Sequence, residues 1–103
     1  MADGRLDPII HGQSRLRIMA ALRGLGVGDQ VAFVRAQEML NMTSGNLSVH
    51  LRTLEEAGYV EQTKVIQVRT VTTYVSLTDA GRAAFDRYVR ELEGLLGKGA
   101  RSN

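Results

Sequence analysis

The stretch 41–60, NMTSGNLSVHLRTLEEAGYV, constrains the chain more than any other. Leu47, Leu51 and Leu54 recur at helical spacing, so three leucines stack on one edge of a helix and must be buried against something. Thr43 stands where an N-cap belongs, its hydroxyl able to accept a backbone N–H two or three residues on. Gly58 stands where a helix end favours a left-handed residue, and Tyr59 and Val60 begin an extended run. At about 100° per residue, Gly45, Val49, Arg52 and Thr53 lie away from the leucines, with Asn46 and Ser48 on the shoulders. No acid occurs from Asn41 to Leu54. A helix with a buried leucine edge and an outer face of small, hydroxyl, amide and arginine groups suits a DNA major groove.

The preceding residues supply a partner helix. The spacing predicts a helix over 13–25, with Leu16, Met19, Ala20 and Leu22 inward, Ile18 and Leu25 widening the stripe, and Arg15, Arg17 and Arg23 outward. Before it, Asp7 and Pro8 predict a short helical start over 6–10. Gly24, Gly26 and Gly28 follow a helix rather than a strand, with no lysine-serine pair after them, so they are a helix stop and loop rather than a phosphate loop. Residues 31–33 predict a short strand and 34–40 a short helix, with Ala36, Met39 and Leu40 inward. Two helices joined by the turn at Asn41 and Met42 form either a helix-turn-helix, whose second member is the reader, or an ordinary helical hairpin.

Residues 59–65 and 70–77 are rich in Val, Thr and Tyr and alternate in VTTYVSL, so they predict a β-hairpin with 66–69 near its tip. Lys64 and Arg69 are the only charged residues in 62–78. A ribbon directly after a helix-turn-helix is the layout of a winged helix. Thr78 caps a last helix on which Ala84, Phe85, Tyr88, Val89, Leu92, Leu95 and Leu96 form an apolar stripe wider than a small domain can bury. An exposed apolar edge of this kind marks a partner surface.

Composition narrows the function classes. At 103 residues and 44% hydrophobic content the chain is one domain. No apolar run is long enough to span a membrane, and no signal-peptide layout opens the sequence, so no membrane role and a cytoplasmic location are expected. The absence of cysteine removes disulfides and thiolate metal sites. His11 and His50 without an acid cluster make a poor metal site, so neither metal nor cofactor is expected. No histidine stands beside a nucleophile and carboxylate, which argues against an enzyme. The net charge of +2 says little about nucleic acid, so charge distribution carries that case.

LSVHLRTLEEAGYVE, followed closely by TTYVSLTDAGRAAFDRY, resembles the small winged helix-turn-helix transcriptional regulators related to the MarR and ArsR types. The likeness is strongest to a single-domain subgroup whose N-terminal part reads like LDPIIHGQSRLRIMAAL, and it runs from about Leu6 to Tyr88. It implies a mostly α fold with a small β-hairpin: a three-helix core, a two- to three-stranded wing and a C-terminal dimerisation helix. The domain would span 6–96, with the dimerisation helix at about 79–96 and flexible tails at 1–5 and 97–103. The resemblance further implies a prokaryotic homodimer on a roughly palindromic operator, with recognition helix 44–57 in the major groove and wing 60–77 on the backbone or minor groove. The candidate DNA-binding residues are Thr43, Ser44, Gly45, Asn46, Ser48, Val49, His50, Arg52, Thr53, Lys64 and Arg69. Phe85, Tyr88, Val89, Leu92, Leu95 and Leu96 are the candidate dimer interface. Related regulators often take a small-molecule effector, which nothing in this sequence identifies.

Individual assignments carry alternatives. Arg52 is assigned to a base edge or phosphate, against an i,i+4 ion pair with Glu56. Asn46 reads adenine or satisfies nearby backbone, and His50 is either a packed ring or a phosphate contact. The wing departs from the family pattern: a tip of Ile66, Gln67, Val68 and Arg69 replaces glycine and several basic residues. A winged-helix module for protein–protein contact is therefore the competing function.

Overall fold

The structure, a computed structural model, describes residues 6–100. Among these residues, four helices and three strands follow in the order α1 (Gln13–Arg23), β1 (Gln30–Ala32), α2 (Phe33–Leu40), α3 (Ser44–Glu56), β2 (Val60–Gln67), β3 (Thr70–Leu77) and α4 (Asp79–Ala100). The sheet is antiparallel with strand order β1-β3-β2, so β3 is central and β2 is a free edge. β2 pairs with β3 from Val60 opposite Leu77 to Gln67 opposite Thr70, leaving Val68 and Arg69 as the turn. This is the winged-helix architecture that the sequence resemblance implies, with β1 as the third strand.

The core forms where α1, α3 and α4 meet the base of the sheet. Leu47, Leu51 and Leu54 are buried beside Ile18, Met19 and Leu22 of α1, with Val60 and Val75 closing the sheet side. Periodicity explains why these strands are buried only at one end. Residues facing each other across β2 and β3 share a face, so Val75, Thr73 and Val71 are a single row that leaves the core and runs out along the wing.

A compact knot joins the end of α3 to the start of α4. Gly58 takes φ +82 after the helix, the left-handed geometry expected of it. The Thr78 hydroxyl donates to the Gly58 carbonyl (2.6 Å) and accepts the Gly81 N–H (2.9 Å), while the Thr78 N–H donates to the Tyr59 carbonyl (3.0 Å). A Cβ on Gly81 would lie 2.0 Å from that same Tyr59 oxygen. Gly81 is therefore required by close approach of two backbones, since a rigid carbonyl cannot yield as a side chain would.

Several elements differ from expectation. Residues 6–10 form a turn rather than a helix: Asp7 Oδ1 accepts the Ile9 N–H (2.8 Å) and the Asp7 carbonyl accepts the His11 N–H (2.7 Å). The cap predicted at Asp7 forms without propagating. α1 stops at Arg23, two residues early, at Gly24. Phe33 begins α2 instead of closing β1. Ala20 and Met39, assigned inward, are exposed, Met39 to 46%. The last helix passes Leu96 and continues to Ala100, so 97–100 of the tail expected at 97–103 is helical, while 101–103 and the tail expected at 1–5 lie outside the described residues.

The arginines of α1 are not a solvated face. Arg15 Nε donates to the Ile9 carbonyl, Arg17 Nη2 to the Leu40 carbonyl (2.6 Å), and Arg23 pairs with Asp86 on α4 (2.9 Å). The Asp86 partnership raises the Arg23 pKa, and the Arg23 hydrogen bond lowers that of Asp86. A second set of bonds ties the N-terminal turn down: Tyr59 donates its hydroxyl to Asp7 Oδ2 (2.6 Å), and His11 Nδ1 lies 2.8 Å from the Tyr88 hydroxyl.

Two expectations follow. Gly81→Ala should lower unfolding free energy by about 2 kcal/mol or more, because a methyl is forced into backbone with no room to relax; urea melts will read the loss. The Tyr59 pKa is pushed up to about 12, chiefly by its bond to Asp7, then by burial. A folded-state pKa above the ordinary 10 contributes stability that is complete below about pH 10 and is lost as pH rises through 12. Urea melts across that window should show the decline, and Tyr59→Phe should flatten it.

Candidate nucleic-acid interface

The helix-turn-helix is built from α2, a three-residue turn and α3. Asn41 adopts the left-handed conformation (φ 54, ψ 51), and the Met42 N–H returns to the Gln37 carbonyl (3.1 Å), which ends α2 sharply. Arg17 holds the same end from below through the Leu40 carbonyl. Thr43 then caps α3, its hydroxyl accepting the Asn46 N–H (3.1 Å). The bonds on both sides of the turn leave α3 with one rotational setting.

That setting buries Leu47, Leu51 and Leu54 and exposes Ser44, Gly45, Asn46, Ser48, Val49 and Arg52. No part of the described residues covers this face. Asn46 gives its backbone N–H to the cap and keeps its amide side chain exposed. Arg52 makes no ion pair with Glu56 among the described residues, so its guanidinium extends from the exposed face. Thr53 is half-buried and donates its hydroxyl to the Val49 carbonyl (3.3 Å), which turns it toward its own helix. His50 is half-buried, with Nδ1 enclosed and without a hydrogen-bond partner among the described residues. The ring sits at the margin of the leucine edge, with part of its surface open.

The wing stands beside this face. Lys64 and its cross-strand neighbour Thr73 line a cleft with Ser48 and Glu55 of α3, Gln62 and the Phe33 ring. Arg69 lies farther out, in the turn, at φ 68. Lys64 therefore joins the α3 face, and Arg69 marks a separate outer point.

Glu55 was missed as a site residue. Its two carboxylate oxygens accept the Gln62 side-chain amide (3.0 Å) and the Gln62 backbone N–H (3.3 Å), so it fastens α3 to the free edge of the sheet. Its seven-residue spacing from Ser48 was visible in sequence, but the bond across the Gly58 turn was not. No group of three or more potential ligands for a metal comes together among the described residues.

The α4 stripe divides. Tyr88, expected at a dimer interface, is 2% exposed and belongs to the subunit's own core, which its hydroxyl joins to His11. Phe85 and Leu92 are half-buried against that core, and Val89 is half-buried. Leu95 and Leu96 are exposed to 44% and 64%, on the far half of α4. No described helix is long and apolar enough to cross a membrane.

Comparison with known proteins agrees with this geometry. Residues 14–96 match the model of the winged helix DNA-binding domain. An uncharacterised protein of Methanocaldococcus jannaschii is 39% identical over 84 residues, covering 82% of this chain and 88% of its own. A transcriptional regulator homologue from Pyrococcus horikoshii OT3 superposes with a TM-score of 0.78 at 34% identity, over 86% of this chain and 85% of that one. FabT of Streptococcus pneumoniae, solved in complex with DNA, shares the fold at a TM-score of 0.57 and 21% identity, over 92% of this chain and 68% of its own. With the family model spanning most of the sequence and the helix-turn-helix and wing both in place, the chain belongs to the winged helix DNA-binding domain family.

Proposed function

We propose that the chain is a sequence-specific transcriptional repressor that binds a roughly palindromic operator as a homodimer. The observation that carries this reading is the uncovered, acid-free face of α3 from Ser44 to Arg52, flanked by Lys64. An α-helix with side chains is about 10–12 Å across and the B-DNA major groove about 12 Å wide, so α3 fits the groove with its leucine edge turned inward. Arg52 reads a guanine edge, Ser44, Asn46 and Ser48 contact bases or phosphates near the start of α3, and the close backbone at Gly45 lets the helix sit deep. Thr43 and His50 contribute from the margin. Lys64 meets phosphate.

The dimer follows from α4. Its 22 residues make a rod of about 33 Å, whose outer turns present Leu95 and Leu96 beyond the core. Pairing this stripe with its copy covers both and sets two α3 helices facing one side of a duplex. Palindromic half-sites about one helical turn apart suit such a two-fold arrangement.

A protein-contact module is the second reading, favoured by the exposed aliphatic tip of the wing. Salt separates the two, because phosphate contacts weaken steeply between about 50 and 200 mM salt while apolar contacts barely change.

Duplexes selected by the purified protein from a random pool provide the operator for testing. Arg52→Ala should weaken operator binding by about 1–3 kcal/mol and relax preference at one position, whereas Lys64→Ala should weaken all duplexes alike and reduce the salt slope by about 1. Gel shifts in which neither variant differs from wild type would remove α3 and Lys64 from the interface. Light scattering after size exclusion should give a dimer, and replacing Leu95 and Leu96 with serine should give a monomer of unchanged helicity. A wild-type monomer would end the palindrome reading.

A further inference from the structure

Between the two acid-free segments of the proposed interface, 41–54 and 62–78, stand Glu55, Glu56 and Glu61. Alternation along β2 turns Glu61 to the opposite sheet face from Gln62 and Lys64, and Glu56 does not line the cleft beside α3. Glu55 does. It shares a space of about 500 Å³ with Ser48, Gln62 and Lys64, so one carboxylate stands inside the surface assigned to phosphate.

An acid in that position has a ready partner in Lys64, yet the two do not pair. Among the described residues the ion pairs are Arg23 with Asp86 and Arg35 with Glu38. Glu55 is occupied by Gln62 instead: Oε1 accepts the side-chain amide at 3.0 Å and Oε2 the backbone N–H at 3.3 Å. Hydrogen bonds to a carboxylate are roughly twice as strong as neutral ones, whereas an exposed ion pair contributes little and costs side-chain entropy. Two N–H donors fixed on one residue therefore win over an ammonium on a flexible four-carbon stem. Distance makes this a real competition. Lys64 lies two residues beyond Gln62 on the same strand face, about 6.6 Å along the backbone, and its stem is long enough to turn back to Glu55. Without the Gln62 amide, Oε1 lacks its donor, and Lys64 is the one cation lining the cleft.

We propose that Gln62 is a positioning residue for DNA binding: by holding both oxygens of Glu55 it keeps that acid off Lys64, whose ammonium stays free for phosphate. This rests on the DNA-binding reading above and adds to it a residue that acts through Lys64 rather than on the duplex. The effect is one of charge. A Lys64 already paired with Glu55 has to give up that partner before it meets a phosphate, and the carboxylate left behind repels the same phosphate. Gln62 removes the first of these costs by giving Glu55 neutral donors. A neutral side chain thereby governs how much of the positive charge of the cleft reaches DNA.

The test uses the full chain, the selected operator and a random duplex, in anisotropy titrations from about 50 to 200 mM salt. Gln62→Val changes no charge and keeps strand propensity, and Gln62→Met keeps side-chain length instead. Both should weaken the two duplexes alike, by about two- to fivefold at the lowest salt, the range that an exposed ion pair is worth. The loss should fade as salt rises, because the competing pair is screened. In either background Lys64→Ala should weaken binding less than it does in wild type, and adding Glu55→Gln should restore the full response to Lys64→Ala. A wing merely loosened by the substitution behaves otherwise, since Glu55→Gln cannot repair a displaced strand. Full affinity in both Gln62 variants would overturn the proposal, as would a loss that ignores salt or that persists with Glu55→Gln. A wild type indifferent to Lys64→Ala is a different result: it would remove Lys64 from the interface whatever the Gln62 variants do.

Discussion

Burial of one leucine edge is the constraint on which the molecule depends. Leu47, Leu51 and Leu54 are the only large apolar side chains of α3 that enter the core. At about 1.5–3 kcal/mol each for full burial, they supply an amount comparable to the whole net stability of a small domain. Rotating α3 by one residue would trade a leucine for Ser48 or Arg52 and leave a polar group unpaired in the core. Fold stability and the orientation of the outer face are therefore the same energetic term. A chain of this size can leave a whole helical face polar and uncovered because the opposite edge is so well anchored.

Orientation also requires that the ends of α3 be fixed, and both are held by polar contacts that involve backbone. At the N-terminal end, Arg17 reaches the carbonyl of Leu40 while Thr43 caps the first turn. At the C-terminal end, Thr78 bridges Gly58 and Gly81, so the first turn of α4 and the last of α3 share one hydrogen-bonded junction. The Tyr59 bond to Asp7 draws the N-terminal turn onto that junction, and the His11–Tyr88 contact carries it along α4. The base of the wing, the end of α3 and the root of α4 thus form one body. A rearrangement of α4 against another subunit would have to move α3 with it.

The parts read correctly from sequence were those fixed by local chemistry. The Thr43 cap, the leucine edge, the Gly58 stop and the hairpin each depend on neighbours within a few residues, where periodicity and backbone preference suffice. What escaped depended on distant partners. An arginine on a helical face carries no mark that tells solvent from a backbone carbonyl or a carboxylate on another element, so the partners of Arg15, Arg17 and Arg23 are not legible in the sequence. Tyr88 sits in register with the exposed stripe of α4, yet its ring is buried in the core and its hydroxyl lies within hydrogen-bond distance of His11 from the N-terminal segment. Met39 shows the converse: the short α2 turns only Ala36 and Leu40 fully inward. Of the candidate interface, the α3 face was legible because it is defined by the leucines opposite. Glu55 was not, because its partner lies across a turn and on the edge of a sheet.

The wing follows a different physical regime from the rest of the domain. Val60 and Val75 bury its base, and outward from there exposure rises along both strands, so the ribbon has no core of its own. An isolated hairpin is marginal in water, and a free edge strand invites unwanted pairing. Here β3 is paired on both sides near the base, where β1 joins it through Ala32 opposite Tyr74, but beyond that point only β2 accompanies it. Glu55 adds one fastening at Gln62, and the charges of Glu61 and Lys64 guard the edge. The outer turn is consequently the part of the fold least determined by the subunit itself. Its turn carries a left-handed arginine and three bare aliphatic side chains, which no other described part of the chain covers. The order of the tip therefore comes from the pairing of β2 with β3 and not from packing, which sets it apart from the base of the same hairpin.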